Sequence, residues 1–328
     1  MENGPAGTSG QAWPLVGRAA ELDDLDELLS RAADGWGGAV LLEGEAGVGK
    51  TRLVEALASS SVLLGIPVER GVAALADRDE RPRLVVVEDA HLAQADALDD
   101  LRAAAASGPV PGHLAVVTLR PVPHRPELTG VITAWTRAGA RWLELRPLSS
   151  AAATELAEAI IRASIGPVLR GAVATAGGNP GFVADIVGTA RDEGALQAVD
   201  GGIDAFGPHW RDIVDERVRE RVGYLGPPVL ALLARASVLG VSFVVLDLAA
   251  LAGEPVPAVW RTLRTAIAAG VVKARGDRLV FRHDVVRGAL YSGIDPGLRR
   301  EWHARAAWTL REAGAPQSVV AAHLELAR

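Results

Sequence analysis

The sequence predicts an α/β fold, a parallel sheet with flanking helices, followed by an all-α segment and a winged-helix domain. Three observations carry that expectation. Short apolar runs alternate with helical patterns up to Pro147; strand signals then vanish for about a hundred residues; and three helical stretches lead into a hairpin pattern near residue 277. Strands that alternate with helices imply crossover connections and parallel pairing. The 328 residues are enough for two domains and a further small module.

Residues 1–13 are rich in Gly, Pro, Ser, Thr and Asn and read as a flexible tail. From Arg18 to Ala33 the residues Leu22, Leu25, Leu28 and Leu29 share one helical face. The run Ala39 to Leu42 is a short strand pattern, halted by GEAGVGKT, after which Leu53, Val54 and Leu57 mark a second helix. Ile66 to Gly71 can hold a second strand. Leu84 to Val87 is a continuous β-branched run, as expected of a strand buried on both faces. Leu114 to Leu119 repeats that pattern and Trp142 to Leu145 is a weaker version.

Ser149 to Ala163 reads as a helix capped by Ser149 or Ser150, and Gly166-Pro167 ends it. The stretch GGNPG at 177–181 breaks the next helix. Three more helical segments fill Gly226 to Gly270 and lead into Val271–Arg275 and Arg278–Arg282, two short runs around Gly276-Asp277. That order is the arrangement of a winged helix-turn-helix. From Gly297 two helices meet at Gly314-Ala315-Pro316, like the start of a helical-repeat array. The expected divisions are a tail (1–13), an α/β core (14–147), a helical lid and linker (148–222), a winged helix (223–296) and the start of a repeat region (297–328).

Composition excludes several functions. Hydrophobic residues make up 49% and charged residues 23%, an ordinary core-forming balance. Cysteine is absent, which removes disulfides, thiolate metal sites and thiol nucleophiles. A net charge of −6 argues against a chain that coats nucleic acid or anionic membrane. The first residues carry no signal-peptide pattern and Val238 to Leu246 is far too short to span a bilayer, so a cytoplasmic protein without membrane contact is expected. Of the 34 Lys and Arg residues only Lys50 and Lys273 are lysines.

One of those two lysines stands where chemistry asks for it. Gly44-Glu45-Ala46-Gly47-Val48-Gly49-Lys50-Thr51 satisfies G-x-x-x-x-G-K-[ST] between a strand and a helix, the context of a P-loop. Backbone N–H groups can curl around phosphate oxygens at a helix N-terminus. Lys50 reaches the β- and γ-phosphates as a mobile point charge, and Thr51 offers its hydroxyl to Mg²⁺. The alternative is a glycine-rich turn with an incidental lysine. Leu84-Val85-Val86-Val87-Glu88-Asp89 ends an apolar strand in two carboxylates, which can hold Mg²⁺ through water and polarise an attacking water. Which of the two takes which task stays open, as does a strand that simply ends in solvated charge. His91 can support them or be structural. Arg120, after the run Val116–Leu119, can sense the γ-phosphate or be a surface charge.

Together these residues resemble the signal-transduction ATPases with numerous domains, the STAND class of AAA-like P-loop NTPases, and within it the N-terminal ATPase region of large ATP-binding LuxR-type regulators. Leu15-Val16-Gly17-Arg18 with Glu21-Leu22 looks like that family's opening box, whose backbone lies near the adenine. Val87-Glu88-Asp89-Ala90-His91 is similar to its acidic strand end and Arg120 to the arginine after its next strand. Gly178-Asn179-Pro180 looks like the lid's GxP motif, in which the proline packs on the adenine ring. Phe281 to Arg287 resembles the winged-helix histidine-aspartate motif, whose histidine, His283 here, reaches the β-phosphate of ADP. From spacing alone, Gly178-Asn179-Pro180 can be a helix stop and restart, and His283 a helix cap.

The resemblance implies ATP or ADP with Mg²⁺ as ligands. Val16, Gly17, Arg18, the loop Gly44 to Arg52, Pro180 and His283 would bind nucleotide; Glu88, Asp89 and Arg120 would act in hydrolysis; Thr51, Glu88 and Asp89 would hold the metal. The implied function is a nucleotide switch with slow Mg²⁺-dependent ATP hydrolysis that controls packing of lid and winged helix, in transcriptional regulation, with a protein partner or self-association on activation. The alternative is a nucleotide-stabilised scaffold with little or no hydrolysis. Departures from the family favour weak turnover: only 32 residues separate Thr51 from Leu84, and the family's Trp-Ala-Asp is Leu92-Ala93-Gln94. Arg261, Arg264, Lys273, Arg275, Arg278 and Arg282 make the winged-helix region locally basic. Direct DNA binding is still not expected, because the family's DNA-reading helix-turn-helix has no counterpart before Arg328.

Overall fold

The structure, a computed structural model, describes residues 14–121 and 126–328; the expected tail lies outside the described residues. The chain enters through α1 (Ala19–Ala33), which buries Leu25 and Leu29, and then β1 (Gly38–Glu43). A glycine-rich loop leads into α2 (Lys50–Leu63), followed by β2 (Val68–Arg70) and β3 (Arg83–Val87). Then come α3 (Ala95–Ala106), β4 (His113–Leu119), α4 (Pro126–Arg137) and β5 (Arg141–Glu144). The five strands form one parallel sheet in the order β2-β3-β4-β1-β5.

Strand alternation divides the apolar side chains between two faces. Val40, Leu42, Leu84, Val86, Leu114 and Val116 pack with Leu25, Leu29, Leu53 and Leu57 on one side. Leu41, Val85, Val87, Ala115 and Val117 pack with Leu98, Leu101, Leu128 and Trp135 on the other. Both faces are covered, so β3 and β4 are buried along their whole length, as their unbroken apolar runs require.

Between β2 and β3 a 3₁₀ turn (Val72–Ala76) stands where a longer chain would place a crossover helix. The buried Arg83 secures this short connection, donating to Glu69 at 2.9 Å and Asp77 at 2.6 Å.

The second half begins with α5 (Ser150–Ile161), whose cap is Ser149: its hydroxyl accepts from Ala152 N at 3.2 Å. Next are α6 (Pro167–Thr175) and α7 (Pro180–Asp192). The expectation of no strands here is corrected by a hairpin, β6 (Leu196–Val199) with β7 (Gly202–Ala205). Its turn is Asp200-Gly201, a strong two-residue hairpin signal that the weak apolar pattern of its flanks concealed. After α8 (His209–Val222) come α9 (Pro227–Leu239), β8 (Ser242–Phe243), α10 (Val245–Ala252) and α11 (Val256–Ala268). The hairpin β9 (Val272–Arg275) and β10 (Arg278–Phe281) follows, and β8 pairs with β10 to make a third strand that the sequence reading did not include. The chain continues through α12 (Asp284–Ser292), α13 (Pro296–Glu312) and α14 (Gln317–Leu326). No helix among the described residues is long and apolar enough to cross a membrane.

One contiguous apolar core runs from Leu148 through Trp210, Leu233 and Phe243 to Leu290. The core shows no break at residue 222, because α12 packs on both α8 and α9. The second half therefore meets the sheet domain as a continuous body.

Asp204 pins the start of α6 from the hairpin. Only 3% exposed, its carboxylate accepts from Val168 N at 3.0 Å, Leu169 N at 2.7 Å and Ala205 N at 2.9 Å. Burial alone would raise this carboxyl, and the three backbone N–H groups outweigh burial to hold it below the ordinary carboxylate range. Asp204→Ala orphans two helix N–H groups and is expected to destabilise the fold by about 1–3 kcal/mol, read from denaturant unfolding. A depressed folded-state pKa gives stability that is present above the unfolded value, near 3.8, and lost on acidification. The deficit of Asp204→Ala should thus be full at neutral pH and vanish only in acid below that value.

Candidate functional site

The glycine-rich loop turns where β1 ends and α2 begins. Gly47 and Gly49 have φ of +79° and +105°, which residues with a Cβ rarely adopt. Gly47 is also a close approach: a Cβ there would lie 2.8 Å from Asn179 Oδ1. The loop borders a cleft of about 510 Å³ shared with α7 and α8. Ala46, Gly47, Val48, Gly49, Lys50, Thr51 and Arg52 all line it, as do Val16, Asp89, Arg120 and Pro180.

Lys50 is buried under the loop, where Nζ donates to Gly44 O at 2.7 Å and Glu45 O at 3.1 Å. Burial pushes its ammonium down to about 8, opposed by the Asp89 carboxylate and aided by the Arg120 guanidinium. Thr51 Oγ1 donates to Glu88 Oε2 at 2.9 Å, so the P-loop hydroxyl and the acidic strand end meet. Glu88 does not line the cleft itself; its other oxygen accepts from Arg70 at 2.6 Å. Asp89 occupies the left-handed region at φ +51°, its N–H donating to Thr118 Oγ1 at 2.8 Å, and lines the cleft. Thr118 lies on β4, the strand between β1 and β3, and the same strand delivers Arg120 to the cleft. The Arg120 guanidinium lies 4.9 Å from the Tyr224 ring centroid, over its face.

The donors near Thr51 suit Mg²⁺, which takes hard oxygen ligands in few protein contacts and keeps phosphate and water for the rest. No group of three or more His, Cys, Asp or Glu able to hold a metal exists among the described residues, so a metal here would depend on ligand phosphates.

Besides Glu88, four of the sequence candidates sit away from the cleft lining. Gly17 has φ +65° and packs on α5, where a Cβ would come within 2.8 Å of Ala152. Gly44 faces Val48 and Leu145 at the rear of the loop. Glu45 turns away from the cleft, 6% exposed, and is a hub. Asn179 Nδ2 donates to it at 2.9 Å, Arg282 Nη1 at 3.2 Å, and His283 Nε2 lies 2.9 Å from Oε1. Burial would raise this carboxyl, but the His283, Asn179 and Arg282 contacts hold it below the ordinary range. His283, expected from the resemblance to reach a phosphate, is thus engaged by the loop's own carboxylate, off the cleft. Arg18 also acts through the loop: it donates to Val48 O at 3.1 Å and Arg146 O at 2.6 Å, tying the P-loop to the end of β5.

Several residues build the site without a role assigned from the sequence, Asn179 among them although it lies inside the motif Gly178-Asn179-Pro180. Asn179 caps α7 by accepting from Gly181 N and Phe182 N while its amide donates to Ala46 O and Glu45. Asn before Pro at a helix start was the available signal. Arg221 pairs bidentately with Asp185, both distances 2.6 Å, on the cleft wall. Arg191, Asp192 and Arg217 complete that rim, and Leu148, Leu156, Ala184 and Gly188 line the cleft deeper along α5 and α7. No sequence pattern marks this group, because α7 and α8 meet only through tertiary packing.

Comparison with known proteins agrees with the loop and the sheet. Residues 14–64 match the family model described as the AAA ATPase domain. Among solved structures, the Walker-type ATPase paby2304 of Pyrococcus abyssi is similar at TM-score 0.57 and 14% identity, over 84% of this chain and 96% of that one. The ORC2 protein of Aeropyrum pernix, in ADPNP–ADP complexes, is similar at 0.51 and 13% identity, over 85% and 95%. A search of curated proteins finds no match. The chain thus carries a P-loop nucleotide-binding domain similar to the AAA ATPases.

Proposed function

We propose that this protein is an ATP/ADP switch, whose nucleotide state controls how the lid and the winged-helix region pack on the P-loop domain, with slow Mg²⁺-dependent hydrolysis as its reset and transcriptional regulation as its output. The single observation that carries this reading is Glu45. The loop that would wrap the phosphates is clamped from behind by Asn179 of the lid and by Arg282 and His283 beyond β10. A ligand that shifts the loop by tenths of an ångström changes those contacts, and only such differential contacts move a conformational equilibrium.

In the hydrolytic step, Lys50 and the loop N–H groups hold the β- and γ-phosphates, and Asp89 or Glu88 orients and polarises the attacking water. Thr51, Glu88 and Asp89 would hold Mg²⁺, partly through water. Bound there, the metal supplies neutralisation of charge developing on the phosphate oxygens. Arg120 reaches the same cleft and leans on Tyr224, in the turn that joins α8 to α9, which gives phosphate state a route to the second half.

One observation favours the alternative, a nucleotide-bound scaffold with little turnover. Glu88 is engaged by both Arg70 and Thr51, which holds both of its carboxylate oxygens off the cleft lining.

Lys50→Ala should weaken ADP binding by on the order of 100-fold in calorimetry while cooperative unfolding persists; unchanged affinity refutes nucleotide binding at this loop. In the unmodified protein ADP affinity should be full below about pH 8 and fall as pH rises through it, because ligand phosphates bind the protonated Lys50; the limit is about tenfold per pH unit. Phosphate release should drop to background in Glu88→Gln and rise a few-fold, about 2–5 times, in Arg70→Ala, which frees Glu88 from its ion pair. A background rate in the unmodified protein and in Arg70→Ala alike selects the scaffold.

A further inference from the structure

We propose that His303 and His323 form a proton-sensitive latch, which seats α14 on α13 at neutral pH and releases it in mild acid. The two rings meet inside the last helical pair, 2% and 7% exposed, with Nδ1 of one 2.9 Å from Nδ1 of the other. Nε2 of His303 lies 2.9 Å from the hydroxyl of Tyr291, which reaches it from α12. Little else seats α14. Its buried residues are Val320 and His323, and Val320 packs with Ala307 and Leu310 in a small cluster of its own. One of the two side chains that anchor the helix is therefore a titratable ring.

Proton count decides whether this contact can exist. A hydrogen bond between two Nδ1 atoms needs one to donate and the other to accept, so two neutral rings satisfy it. One added proton can still be housed on His303, which then donates from both nitrogens, to His323 Nδ1 and to the Tyr291 oxygen. A second cannot, because two N–H groups would face each other across 2.9 Å between two positive charges. The surroundings oppose even the first. Burial, with the positive charges of His323 and Arg299, pushes His303 down to about 4, and burial also lowers His323. Arg299 is kept close by stacking over the Tyr291 ring at 4.9 Å. Charged groups on the helices packed around the pair are engaged elsewhere: Arg287 of α12 with Asp284, Arg235 of α9 over the Trp302 ring, and Asp247 of α10 with Arg278 as its charged neighbour. On α13 and α14, Arg300, Glu301, Arg305, Arg311, Glu312 and Glu325 are exposed. No carboxylate thus compensates a proton on either ring. A histidine lowered by burial supports the seated helix fully above its ordinary value of 6.5. It gives up that support as pH falls toward the folded value, by at most about tenfold per pH unit and per histidine. Release uncovers Ala307 and Leu310 beside the already exposed Trp308, so the acid form presents a new apolar strip.

The test is amide hydrogen exchange of the full chain from neutral pH into mild acid, with intrinsic exchange rates divided out and α14 compared against β3 and β4 in the same sample. In the unmodified protein, protection of α14 should be level above pH 6.5 and fall below it, by up to about tenfold per pH unit and per histidine, while β3 and β4 keep theirs. In His303→Phe/His323→Leu both positions stay apolar and neither can gain a proton, so protection of α14 should remain level over the same range. Level protection in the unmodified protein, or an equal fall in both proteins, overturns the latch. If the double variant fails to fold, the unmodified protein decides through NMR titration of its histidine ring C–H signals, with His303 assigned by its contact with the Tyr291 ring. His303 and His323 should then titrate below 6.5 and in step with the loss of α14 protection. Titration at the ordinary value, or protection unchanged across their titration, overturns it.

Discussion

A carboxylate buried out of reach of water is tolerated only when charged or hydrogen-bonding partners surround it. Glu45 is such a carboxylate, and the arrangement of this molecule follows from the way it is satisfied. Its partners come from 134 and 237 positions further along the chain, in Asn179 and Arg282, with His283 beside them. The loop that bears Glu45 is rich in glycine and has few side chains of its own to define its shape. Its rear is therefore fixed by the start of α7 and by the segment after β10, while its front stays open to the cleft. Removing any one partner would leave the charge less compensated, so the three parts of the chain are bound into one electrostatic unit.

The front of the loop has a matching logic. Lys50 is held by two loop carbonyls and kept partly desolvated, a state whose cost is visible in its lowered pKa. Asp89 and Arg120 arrive from adjacent strand tips and set the local field in opposite directions. Thr51 and Glu88 close the same edge, with Arg70 as a restraint drawn from the short β2 strand. The abbreviated link between β2 and β3 leaves Arg70 beside the acidic strand end, so the truncation noticed in the sequence acts on the chemistry through an ion pair. Scarcity of lysine also gains a meaning. Arginine serves nearly everywhere else, and the loop uses lysine because a compact ammonium can fold back onto backbone oxygens where a planar guanidinium would not fit. Lys273, exposed on β9, has no structural rationale of this kind.

Much of this was legible in the sequence, for physical reasons that are local. A strand covered on both faces reads as an unbroken apolar run, which is how Leu84 to Val87 and Leu114 to Leu119 announce the centre of the sheet. Positive φ at Gly47 and Gly49 demands glycine, and the lysine and threonine follow at fixed spacing, so Gly44 to Thr51 declares the loop. Ser149 is a cap because its hydroxyl can satisfy a free N–H three residues on. The hairpin around Asp200-Gly201 escaped because its strands are short and half exposed, so their alternation is faint against a helical background. The strand Ser242–Phe243 escaped because two residues carry no periodicity at all.

What the sequence by itself determined is thus the local chemistry: a phosphate loop, an acidic strand end and an arginine on successive strand tips. Only the tertiary structure decided how those groups are used. It turned Glu45 away from the cleft and toward His283, and joined Asp185 to Arg221 across two helices. The physical reason is sequence separation. A motif records contacts that its own backbone geometry enforces, whereas contacts between residues more than a hundred positions apart exist only once hydrophobic burial has brought their elements together.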